Sequence, residues 1–86
     1  MTDCANIAKK YLKTLDKNIR KSKVRELKQS DLTSIEYWIL YYTYGEKNFV
    51  INTCMKLGLS EAQFHIHLLV ALTKVYYILD LKTLEV

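Results

Sequence analysis

At 86 residues the chain is limited to one small domain, and with half its residues apolar it can build a core without disulfide staples. It has no proline and only two glycines, Gly45 and Gly58, which suits helices and leaves little material for tight β-turns. The formal net charge of +4 suits an anionic partner and is also ordinary for a soluble domain, whereas composition excludes collagen-like, low-complexity and membrane-spanning classes. The greasiest stretch, Phe64 to Leu81, is interrupted by His65, His67, Lys74 and Asp80. The first ten residues are too polar for a signal-peptide core, so Cys4 and Cys54 are expected as reduced thiols in a cytoplasmic setting.

Asp3 can cap a first helix whose apolar residues are Ile7, Ala8, Tyr11, Leu12, Leu15 and Ile19. At 100° per residue, Lys9, Lys13, Lys17, Arg20 and Lys21 fall on the opposite side. Such a basic amphipathic helix is a solvated face on a packed helix, a phosphate-contacting face or a membrane-surface helix. The last fits least, because the apolar side has no Trp or Phe. Arg20 to Asp31 reads as a linker or a short second helix, with one turn of apolar spacing in Val24 and Leu27.

"TSIE" (Thr33 to Glu36) is a capping box. Ile35, Trp38, Ile39 and Tyr42 then form a helical stripe that places Trp38 in the core. Tyr37, Tyr41 and Tyr44 are expected to line a second, partly exposed surface. Gly45 supplies the turn after this helix. Asn48 is expected to cap the next, Phe49 to Leu57, with Val50, Ile51, Cys54 and Leu57 inward. Gly58 sits at its C′ position. "SEAQ" (Ser60 to Gln63) is a second capping box, opening a helix expected to reach about Leu81.

From Val50 to about Leu69 the spacing fits a helix-turn-helix: compact Cys54, then Leu57-Gly58-Leu59-Ser60, with Phe64 and Leu68 returning to the core. Leu32-Thr33 with Glu36, Ile39, Tyr42, Ile51, Leu57-Gly58-Leu59-Ser60-Glu61, Gln63-Phe64 and Ala71-Leu72 extend the pattern. Over Leu32 to Leu79 the chain resembles the fourth region of sigma-70-type factors, and still more the ArpU/RinA-type late transcription regulators of phages. That resemblance implies a helical DNA-binding module from a phage or mobile element of a bacterium, with no enzyme activity and no cofactor. The expected fold is all-α, a four- to five-helix bundle containing a helix-turn-helix. It forms one domain over 1–86, with a basic amphipathic helix and linker in 1–29 and the helix-turn-helix core with its long last helix in 30–86.

The last helix departs from the family pattern. Its outward positions are Glu61, Ala62, His65, Ile66 and Leu69, not arginines or lysines. Glu61 can accept from cytosine, Ser60 and Gln63 can bond a phosphate or a base, and Ile66 can touch a thymine methyl. The bidentate Arg–guanine contact is missing. Phe64, Leu68, Ala71, Val75 and Ile78 form one apolar face; Ile66, Leu69, Val70, Thr73, Tyr77 and Leu81 form another. The second face is either covered by Ile7, Tyr11, Leu15 and Ile19 of the first helix or serves as an interface.

His65 and His67, two apart on a helix, point about 200° from each other and cannot share a metal ion. No nucleophile elbow, phosphate loop or paired carboxylate appears, so catalysis is not expected. Two functions follow. One is a transcription regulator binding double-stranded DNA mainly by its backbone, through Lys9, Lys13, Lys17, Arg20, Lys21, Lys47, Asn48, Lys56, Ser60, Glu61, Gln63 and His65. The other is a protein-binding inhibitor or modulator that captures a transcription regulator or RNA polymerase subunit through Ile66, Leu69, Val70, Tyr76, Tyr77 and Leu81. A homodimer through the last helix is a third arrangement. No metal, small-molecule substrate or membrane is expected.

Overall fold

The computed structural model describes residues 3–84. They form an all-α fold of five helices with no strand among the described residues: α1 (Cys4–Thr14), α2 (Lys17–Glu26), α3 (Ser34–Leu40), α4 (Val50–Leu57) and α5 (Glu61–Ile78). A 3-10 turn (Leu27–Gln29) follows α2, a π turn (Tyr41–Gly45) extends α3, and a second 3-10 turn (Leu81–Leu84) follows α5.

Asp3 caps α1 as expected, its carboxylate accepting from the Asn6 backbone N–H at 3.1 Å. The helix stops at Thr14, five residues short of Ile19. Leu15 and Asp16 take extended ψ values of 144° and 149°, and the chain restarts as α2. The corner turns Ile19 outward to 51 % exposure and buries Arg20, Val24 and Leu27 instead. Those three, spaced i, i+4, i+7, are the inner stripe of α2 and the 3-10 turn that follows it. The sequence hides it because its first member is an arginine.

α1 makes its main contact with α5, through Ala5, Ala8 and Leu12 against Ala71, Leu72, Val75 and Tyr76. Small alanines on α1 let the helix axes approach closely. α2 packs on the π turn and α3 on α5. A second, smaller cluster joins Ile39, Cys54 and Phe64, so α4 is anchored to both α3 and α5.

The face of α3 differs from the expected one. Trp38 and Ile35 are exposed, whereas Tyr37 and Tyr44 are buried with Ile39 and Leu40. Nearly every position of this helix is large and apolar, so its periodicity does not select an orientation. Glu36 does: it is buried and reaches Lys74 of α5 at 2.8 Å. Both capping boxes form, Thr33 with Glu36 and Ser60 with Gln63. Gly58 closes α4 in the left-handed conformation, φ +67°.

Four further expectations need correction. Gly45 is not the left-handed residue after α3; Lys47 takes that role at φ 55°. Asn48 does not cap α4, which begins after Phe49 without a side-chain cap. Ile51 points outward, 68 % exposed, and Thr53 takes the inward place, its hydroxyl donating to the Phe49 carbonyl at 3.3 Å. α5 ends at Ile78, and Asp80 turns the chain at φ 51° so that Leu81 folds back into the core.

Candidate functional site

Six separate segments bring cations and apolar groups around one recess of about 600 Å³. α1 supplies Lys9 and Lys13, one turn apart, and α2 supplies Arg20. The π turn gives Thr43 and Tyr44, and the following loop gives Lys47. Val50 comes from α4, and Phe64, His65 and Leu68 come from the first turns of α5. No carboxylate is among the lining residues. Five of the residues expected at a phosphate surface, Lys9, Lys13, Arg20, Lys47 and His65, therefore meet at one place although they are spread over 57 positions from 9 to 65.

Arg20 does not sit there as expected. It is 6 % exposed, not on a solvated face, and makes no ion pair among the described residues. Its Nε is buried without a hydrogen-bond partner. A buried guanidinium with no counter-charge destabilises the folded chain unless something else satisfies it. The π turn explains how Thr43 and Tyr44 reach the same recess. Glu46 N–H bonds back to the Tyr41 carbonyl at 2.9 Å and Asn48 N–H to the Tyr42 carbonyl at 2.8 Å, so the backbone is wider than an α-helix there. The Thr43 hydroxyl is buried and unpartnered, as is the Asn48 amide nitrogen. Burial pushes the Tyr44 hydroxyl up to about 12, so it stays neutral beside these cations.

The remaining candidates divide. Lys17 is exposed and Lys21 half-buried, both on α2 and away from the recess lining. Lys56 is exposed with its ammonium 4.7 Å from the centre of the Tyr42 ring, a cation–π contact. Ser60 and Gln63 hold each other's backbone N–H groups at 3.1 and 3.0 Å, so base reading would compete with the cap of α5. Glu61 is exposed at the same end.

The proposed interface is also re-drawn. Tyr76 and Leu81 are core residues and leave it. Ile66, Leu69, Val70 and Tyr77 are exposed, Ile66 by 63 %, because α1 covers the Leu72 and Tyr76 side of α5 rather than theirs. The covering role expected of Ile7, Tyr11, Leu15 and Ile19 on that face is therefore not met. Cys4 lies at the far end of α5, its thiol 3.8 Å from the Tyr77 hydroxyl. Thr43 escaped sequence reasoning altogether, and Tyr44, expected on a partly exposed surface, is buried at the recess. Within a run of aromatic residues, no pattern marks where the helix widens.

No protein-family model, curated protein or solved structure matches the chain. Among the described residues no helix is long and apolar enough to cross a membrane.

Proposed function

We propose that the chain is a small transcription regulatory protein of the phage or mobile-element kind, with a sigma region 4-like helix-turn-helix. It binds double-stranded DNA mainly through backbone phosphates. The observation that supports this reading is the gathering of Lys9, Lys13, Arg20 and Lys47 with His65 around one recess that no carboxylate lines. Phosphates are bound by such same-sign clusters, and binding of this kind is salt-dependent because each neutralised phosphate releases counterions. Base reading contributes little, since Ser60 and Gln63 are engaged in the cap and Ile66 and Leu69 stand where arginines would read guanine.

Fluorescence anisotropy with a labelled duplex tests this. With the three exposed lysines engaged, affinity should fall roughly fortyfold between about 50 and 200 mM salt. Replacing Lys9 and Lys13 by Gln should reduce the log–log salt slope by about two. No binding at low salt, or binding indifferent to salt, refutes the proposal.

A second reading has its own support. Phe49 just before α4, Ile51 and Met55 on α4, and Ile66, Leu69, Val70 and Tyr77 on α5 are large apolar residues left in water. A protein-binding inhibitor or modulator that captures a transcription regulator or RNA polymerase subunit would use such a surface.

A further inference from the structure

We propose that the recess between α1, α2, the π turn and the start of α5 is a binding site for a small phosphate monoester carrying an apolar or aromatic body. Its phosphate is seated by Arg20 with the rim lysines Lys9, Lys13 and Lys47, and its body lies against Val50 and Leu68. The site shares its rim lysines with the proposed DNA surface, but it does not depend on DNA binding. A duplex lies over a surface, and a recess of about 600 Å³ with apolar walls is surplus to that contact.

Three observations lead there. The first is charge. Lys9, Lys13, Arg20 and Lys47 line the recess with no acidic residue, which matches a dianion better than a single carboxylate. The second is satisfaction. Arg20 is more than nine-tenths buried and its Nε has no partner among the described residues; the buried hydroxyl of Thr43, another lining residue, has none either. A ligand phosphate supplies the counter-charge that Arg20 lacks, and a guanidinium fits two phosphate oxygens at once. The third is shape. The volume lies within the roughly 300–1,000 Å³ usual for small-ligand sites, and Val50, Phe64 and Leu68 supply an apolar side. Local backbone geometry agrees: the π turn that delivers Thr43, and the left-handed Lys47, are both departures that concentrate at binding sites.

The test is calorimetric titration of the full chain with naphthyl phosphate, and separately with its two halves, inorganic phosphate and naphthol. Amide shifts are mapped by NMR, and a short duplex is titrated in parallel. Naphthyl phosphate should bind about tenfold or more tightly than either half, with shifts centred on Arg20, Thr43 and Lys47. Arg20→Met should weaken it about tenfold or more while leaving the melting temperature equal or higher, because an unpaired buried charge has been removed. Lys82→Gln, a charge-matched change outside the recess lining, should leave binding unchanged. The proposal is overturned if either half binds as tightly as the whole, if shifts fall away from the lining residues, or if Arg20→Met binds like the parent. Should Arg20→Met not fold, the exposed pair Lys9→Gln with Lys13→Gln must still weaken naphthyl phosphate relative to naphthol; unchanged affinity is then decisive against it. Loss of duplex binding with naphthyl phosphate retained refutes the DNA reading alone, and the converse refutes this one alone.

Discussion

Glu36 carries more of this fold than its charge would suggest. It closes the cap of α3, its carboxylate accepting from the Thr33 N–H at 2.9 Å, and it ties α3 to α5 through Lys74. Burial pushes its carboxyl up, but the Lys74 ammonium and the Thr33 donors outweigh that and hold it below the usual carboxylate value. A lowered carboxyl contributes stability above the unfolded value, and that contribution is lost as pH falls through the folded one. Lys74→Met should therefore cost about 1.5 kcal/mol at neutral pH, toward the low end for a charged hydrogen bond because the lysine is partly open to water. The deficit should shrink on acidification below about pH 4.3, where the carboxylate no longer needs its partner. Chemical denaturation at neutral and acidic pH measures both. A deficit independent of pH would mean that Lys74 acts through its methylene stem.

At the scale of the element, the α4–α5 junction is set by two short-range devices. Gly58 adopts φ +67°, and a Cβ placed there would meet nothing within 4 Å. The cost of a side chain is thus purely conformational. Gly58→Ala should lose about 1–2 kcal/mol, and Gly58→Asn less, in urea denaturation. Equal losses would point to a steric contact instead. α1 and α2 illustrate the opposite case. Residues 4–20 read as one amphipathic helix, and no proline or glycine breaks it. The chain bends at Leu15–Asp16 because Val24 and Leu27 gain a place in the core that a straight helix would deny them. The same bend carries Arg20 into the recess wall.

For the whole molecule, the decisive feature is the division of its surface. One side gathers cations around the recess; the outer side of α5 leaves Ile66, Leu69, Val70 and Tyr77 in water. Because those side chains are exposed, Ile66→Glu with Leu69→Glu should leave the melting temperature within a few degrees of the parent. Sedimentation at micromolar concentration then reports their role in self-association: if the parent is a dimer through α5, the double variant should be a monomer. Unfolding of the variant would show that this face is needed for the fold. A parent dimer that persists in the variant would place self-association elsewhere.

The sequence by itself determined what short-range chemistry controls. Asp3, Thr33–Glu36 and Ser60–Gln63 mark three helix starts, Gly58 one helix end, and the helical periods and missing prolines an all-α chain. Each depends on neighbours within about four residues, so no tertiary knowledge is required. It also named Lys9, Lys13, Arg20, Lys47 and His65 as candidate anion contacts, without showing that they meet. Tertiary structure alone decided which side of α3 faces inward, where the first basic helix bends and where the π turn falls. Apolar residues almost surround α3, and a period cannot choose among them; the Glu36–Lys74 pair across 38 positions does. Arg20 is the clearest case. In sequence it belongs with the solvated lysines, and only the packing of α2 makes it a buried cation at the edge of a recess.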